Sequence, residues 1–107
     1  MCDGMHLKQI NMILGEGAIE ILQYMKDGRA RHFNDFKKLM NPRTKHVFST
    51  KTILLRVREL VGSGALEKIA IKTKNGRDVL GYRITKEGLH AYELALKFEE
   101  KLKKILK

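Results

Sequence analysis

At 107 residues and 12.3 kDa, the chain has room for one domain with one modest core. With 43% hydrophobic and 32% charged residues it is not the composition of a disordered chain, and its longest apolar run is too short to cross a bilayer. The formal net charge of +10 is concentrated in the middle: −2 over residues 1–25, +10 over 26–83 and +2 over 84–107.

The N-terminus lacks an apolar core followed by a small-residue cleavage site, so no signal peptide is expected and the protein is assigned to the cytoplasm. A single cysteine, Cys2, has no internal partner, in keeping with a reducing compartment. With no repeat and no Pro- or Ser-rich linker, residues 1–107 read as one domain.

Residues 5–14 form a short apolar segment with a blurred helical period, containing Met5, Leu7, Ile10, Met12, Ile13 and Leu14. Residues 16–27 are clearer: Ala18, Ile21, Leu22 and Met25 recur at helical spacing, and Gly28 supplies a stop. Gly15 and Gly17, in GEGA, separate the two helices. Residues 29–33 suggest a short strand. Asn34 then caps a brief helix through Met40, with Phe36, Leu39 and Met40 turned inward. NPRTKHVF follows as a basic loop. Ser49 or Thr50 caps a helix over 50–62, in which Ile53, Val57 and Leu60 share one face and Lys51, Leu55 and Arg58 the other, with Thr52 and Arg56 at the flanks.

Gly62, Ser63 and Gly64 stop that helix, and LEKIAIKT and DVLGYRIT alternate as strands around Lys74, Asn75, Gly76 and Arg77. A two-residue turn at Asn75 and Gly76 predicts Ile71 opposite Leu80 and Ile69 opposite Tyr82, putting those apolar side chains on one face. The same register sets Lys68 against Arg83 and Lys72 against Val79. Thr85 begins a terminal helix whose stripe of Ala91, Leu94, Ala95, Phe98, Leu102, Ile105 and Leu106 outlasts the core it can cover. A second copy of the chain is the expected cover.

The predicted fold is therefore mostly helical α+β: a winged helix-turn-helix with a two- to three-stranded antiparallel wing sheet and a long C-terminal helix. Such an order presents the outward-basic helix 50–62 to a major groove and the wing, 72–79, to the backbone or minor groove. The basic middle of the chain suits a polyanion, since each neutralised phosphate releases counterions. The expected DNA-binding set is Ser49, Thr50, Lys51, Thr52, Leu55, Arg56, Arg58, Lys72, Lys74, Asn75 and Arg77. Within it, Arg58 is assigned to a guanine, Leu55 to a thymine methyl, and Arg56, Lys72, Lys74 and Arg77 to phosphates. Ile10, Ile13, Leu14, Ala91, Leu94, Ala95, Phe98, Leu102 and Ile105 are expected to form a homodimer seam, carried by residues 1–15 and 86–107.

STKTILLRVRELVGSGALEKIAI, the hairpin, and GYRITKEGLHAYE together resemble winged-helix regulators of the HxlR, PadR and MarR kind, HxlR-like proteins above all. The resemblance spans about residues 17–95, and its most telling pieces are RVRELVGSGALEK and YRITKEG. It implies a dimeric repressor or activator on pseudo-palindromic double-stranded DNA, with Ser49, Lys51, Leu55 and Arg58 facing the groove and a wing at 74–77. The chain departs from that pattern in having no tryptophan in its first core helix and a longer loop before Ser49. Cys2 lies near the end where those proteins carry a sensing cysteine, without its usual neighbours.

No cofactor, metal or catalytic set is expected. Cys2 and His6 are four apart, but no second pair follows at ligand spacing, and Asp35, Glu59 and Glu67 read as surface or helix-end charges. GEGA lacks the preceding strand and the lysine of a phosphate-binding loop. Two other readings accompany the leading one: a winged-helix module that holds a protein partner through its terminal helix, Leu54 and Leu55, and a nonspecific, chromatin-like DNA binder.

Overall fold

A computed structural model describes residues 8–106. Cys2, Met5, His6 and Leu7, and with them the metal and redox expectations and the start of the 1–15 segment, lie outside the described residues. In chain order come α1 (Lys8–Ile13), α2 (Ala18–Met25), β1 (Arg31–His32), a 3-10 helix (Phe33–Lys38), α3 (Thr50–Gly62), β2 (Leu66–Lys72), β3 (Asp78–Ile84) and α4 (Lys86–Ile105). The three strands make one antiparallel sheet in the order β1-β3-β2.

Periodicity decides which side chains enter the core. Ala18, Ile21, Leu22 and Met25 of α2 and Ile53, Val57 and Leu60 of α3 are buried, as their spacing predicts. They meet Phe36, Phe48, Leu66, Tyr82, Ile84 and Tyr92. Phe36 is fully buried, with Tyr24, Phe33 and Tyr82 ring centroids 6.0 to 6.4 Å away. Beside it the Tyr24 ring carries two cations, Arg31 at 4.6 Å and Lys38 at 5.0 Å. Asp27 accepts from the Arg29 main-chain N–H at 3.0 Å and from Arg31 at 2.7 Å. That main-chain bond, with the Arg31 and Arg29 charges adding to it, holds the Asp27 carboxyl below the usual carboxylate range.

The segment after β1 corrects two expectations. Its cap is His32 rather than Asn34: His32 Nδ1 accepts the Asn34 N–H, and Asp35 reaches back to the His32 N–H, both at 3.0 Å. Met40 is 53% exposed instead of inward, because the 3-10 helix ends at Lys38 and the chain then runs extended into a bridge with Val47.

The hairpin corrects a third. Thr73 pairs with Arg77 across a three-residue turn: the Thr73 N–H donates to the Arg77 carbonyl at 2.9 Å, Thr73 Oγ1 accepts the Arg77 N–H at 3.2 Å, and Gly76 takes φ +79°. The register therefore differs by one residue from the two-residue turn. Ile69 faces Gly81 and Ile71 faces Val79, while Tyr82 and Leu80 belong to the opposite face of the sheet. Charge agrees with this register, which sets Glu67 against Arg83 at 3.3 Å and Lys72 against Asp78 at 3.0 Å. The expected register would have faced Lys68 with Arg83.

The two segments RVRELVGSGALEK and YRITKEG meet in space. Gly64 turns the chain out of α3 with φ +89°. Thr85 then donates its hydroxyl to the carbonyls of Gly64 and Ala65, at 2.6 and 3.1 Å, and caps α4 by accepting the Gly88 N–H at 2.9 Å. One threonine thus ties the entry of β2 to the start of α4.

Candidate nucleic-acid interface

The outer face of α3 is built by what its inner face buries. With Ile53, Val57 and Leu60 in the core, Lys51, Leu55 and Arg58 are carried outward at helical spacing, and all three are exposed, as is Leu54. Ser49 and Thr50 are also exposed at the helix start. Ser49 accepts the Thr52 N–H at 3.1 Å and bonds the Thr52 hydroxyl at 2.9 Å, so both side chains serve the cap.

Arg56 stands apart from the rest of the expected set. Its side chain is 20% exposed; Nε donates to the Glu16 carbonyl at 2.7 Å and Nη1 to Glu59 at 3.0 Å. Two of its donor groups are committed inside the molecule. The wing presents Lys74, Asn75 and Arg77 exposed at its turn, while Lys72 is exposed but paired with Asp78.

The expected dimer residues separate into two groups. Ile10, Ile13 and Leu14 from the α1 side and Ala91, Leu94, Ala95 and Phe98 from α4 line one apolar groove of about 470 Å³. Leu94 is 61% exposed and Phe98 48%. Leu102 and Ile105 lie beyond this groove, the first half-buried and the second exposed. Tyr92 is the last buried residue of α4, and beyond it only Ala95 and Leu102 are half-buried among the described residues.

Among the described residues no cluster of three or more His, Cys, Asp or Glu is placed to hold a metal, and no helix is long and apolar enough to cross a membrane.

No family model and no curated protein sequence matches the chain. Its architecture does match solved structures. One is a protein assigned as a transcriptional regulator, ytfH of Salmonella typhimurium, at TM-score 0.60 and 19% identity over 92% of this chain and 85% of that one. A second assigned transcriptional regulator, from Thermoplasma acidophilum, matches at TM-score 0.60 and 20% identity over 92% and 95%. A PadR family transcription regulator from Clostridium difficile matches at TM-score 0.66 and 16% identity over 82% and 91%. The chain has the winged helix-turn-helix fold, mostly helical, with a three-stranded antiparallel sheet and a long C-terminal helix. The expected resemblance to winged-helix regulators, PadR-like ones included, holds at the level of structure.

Proposed function

We propose that this chain is a non-enzymatic, homodimeric transcriptional regulator that binds double-stranded DNA sequence-specifically inside the cell. The observation that carries the reading is the stripe of Lys51, Leu55 and Arg58, exposed on a helix whose other face is sealed into the core, in a fold that also presents a basic turn. In this reading α3 enters the major groove. Arg58 donates two parallel bonds to guanine O6 and N7, Leu55 meets a thymine methyl, and Lys51 works beside them. Ser49 and Thr50 sit at the helix start, close to the backbone, with Thr52 held in the cap. Lys74, Asn75 and Arg77 meet phosphates or the minor groove, and Lys72 joins them after exchanging Asp78 for a phosphate. Arg56 is reassigned from phosphate contact to an internal tie.

Residues 1–107 act as one domain in this account, and the groove between α1 and α4 is the dimer seam. Two copies bring two recognition helices to a pseudo-palindromic site. Exposure of Leu54 and Leu55 favours a second reading, in which α3 holds a protein partner instead of DNA.

Fluorescence anisotropy, on a duplex selected from a random pool and on a random duplex of equal length, separates these readings. The proposal predicts a steep negative slope of log affinity against log salt and a clear preference for the selected duplex. Arg58→Ala should cut that preference by about 1 to 3 kcal/mol, whereas Lys74→Ala should weaken both duplexes alike and make the slope shallower by about one per copy. Equal losses on both duplexes for Arg58→Ala would remove its base-reading role, and a salt slope without preference would identify a nonspecific binder.

A further inference from the structure

Three polar ties converge on one residue of the turn between α1 and α2. The main-chain oxygen of Glu16 accepts from Arg56 Nε at 2.7 Å, in the middle of α3. Its carboxylate accepts from Asn41 Nδ2 at 3.0 Å and lies 3.7 Å from the Arg43 guanidinium. Asn41 is buried, and it organises the loop that enters α3. Its side-chain oxygen accepts the Arg43 N–H at 2.9 Å, its own N–H donates to the His46 carbonyl, and its carbonyl accepts the Lys45 N–H, the last two at 2.8 Å. Glu16 therefore holds α3 through its main chain and the approach to α3 through its side chain.

The glycines on either side suit this arrangement, Gly15 by its closeness to Arg56 and Gly17 by its positive φ. A Cβ at Gly15 would stand 3.2 Å from Arg56 Nε, and one at Gly17, where φ is +93°, would reach Arg56 Cγ at 3.6 Å and Phe48 at 3.7 Å. The far side of the guanidinium is held by Glu59 at 3.0 Å, so its orientation is set from two directions. Apolar burial of Ile53, Val57 and Leu60 fixes how deep α3 sits, but such contacts are non-directional. Hydrogen bonds are directional, and they set the rotation and slide that base reading needs.

The geometry points to Glu16 and Arg56 as positioning residues for base recognition: they set the pose of α3 against the α1–α2 turn and themselves touch no DNA. The assignment rests on the reading above, that α3 enters the major groove.

Electrostatics gives the test opposite signs. Glu16→Ala raises the formal net charge from +10 to +11, so if Glu16 were a bystander the variant would bind every duplex as tightly as before or more so. As a positioning residue its loss weakens binding to the selected duplex by about tenfold, leaves the random duplex unaffected or tighter, and preserves the salt slope. Glu16→Gln keeps an oxygen for Asn41 and should recover most of the lost affinity. Arg56→Lys keeps the charge but not the planar fork, and should lose selected-duplex affinity at an unchanged slope.

Anisotropy of the full chain and these variants, over the same salt series and with thermal melts to show each is folded, reads all of this. Undiminished binding of the selected duplex by Glu16→Ala overturns the assignment of the Glu16 carboxylate, and undiminished binding by Arg56→Lys overturns that of the Arg56 tie to the Glu16 carbonyl, which Glu16→Ala leaves in place. Should Glu16→Ala not fold, Arg56→Lys decides alone: wild-type affinity at an unchanged slope overturns the assignment, and a slope shallower by about one per copy makes Arg56 a phosphate contact instead. A wild-type chain that prefers no duplex overturns the DNA reading itself, and that result is read without any variant.

Discussion

Gly88→Ala is expected to destabilise the fold by about 3 kcal/mol. Gly88 is buried in the first turn of α4, and a Cβ there would land on the carbonyl oxygen of Ala65. That neighbour is backbone and cannot swing aside. The same carbonyl accepts the Thr85 N–H at 3.0 Å and the Thr85 hydroxyl at 3.1 Å, so room for the methyl comes only by lifting α4 off the α3–β2 junction. Lifting it also uncovers Tyr92. Urea denaturation should show the midpoint fall sharply. Gly62→Ala is the matched control, since a Cβ at that helical position meets nothing within 4 Å, and the gain in helix propensity should leave the protein as stable or more so by up to about 1 kcal/mol. Equal midpoints for Gly88→Ala and the parent would mean α4 does not dock in this way.

Phe98→Glu is expected to convert a dimer into a monomer. Phe98 lines the groove between α1 and α4 with Ile10, Ile13, Leu14, Ala91, Leu94 and Ala95, and of these Ile10, Leu14, Leu94 and Phe98 itself are exposed among the described residues. A carboxylate there costs little in the monomer, because the position is open to water. In a packed seam it must be desolvated without a partner, which raises the dissociation constant by more than about a hundredfold, or about 3 kcal/mol. Sedimentation velocity at micromolar concentration should find the parent as a dimer and the variant at half its mass. Affinity for a two-half-site duplex should fall with it, because each monomer then engages a single half-site. A variant that remains dimeric would take this groove out of the interface.

Much of the fold can be read from spacing alone. The inward sets of α2 and α3, the Ser49 and Thr85 caps, and the start of α4 follow from helical period and from side-chain oxygens placed just ahead of it. What escaped is of two kinds, a local choice between competing turn and cap residues, and a contact between segments distant in sequence. Asn75-Gly76 favours a two-residue turn locally, yet Thr73 closes a three-residue one and the facing charges of Glu67 with Arg83 and Lys72 with Asp78 agree with it. Those charge pairs are visible in the sequence, and weighing them against turn preference would have given the register. Arg56 is a different case. Its flank position on α3 is legible, but its partner is the carbonyl of Glu16, forty residues earlier, and a main-chain acceptor leaves no trace in residue type. Gly15 of GEGA hints at it, since a Cβ there would crowd Arg56. The outward stripe on α3 is legible as the complement of a buried face, and the α4 side of the groove as an apolar stripe longer than the core it can cover.

Methylation interference on a duplex selected from a random pool probes the placement of α3 base by base, since a methyl on guanine N7 blocks major-groove contact at a single base. Binding of the parent chain should be abolished by methylation at guanines in two blocks about one helical turn apart, and Arg58→Ala should lose sensitivity at one guanine in each. Binding indifferent to methylation at every guanine, or the same interference pattern in Arg58→Ala as in the parent, would contradict the placement of α3 in the groove.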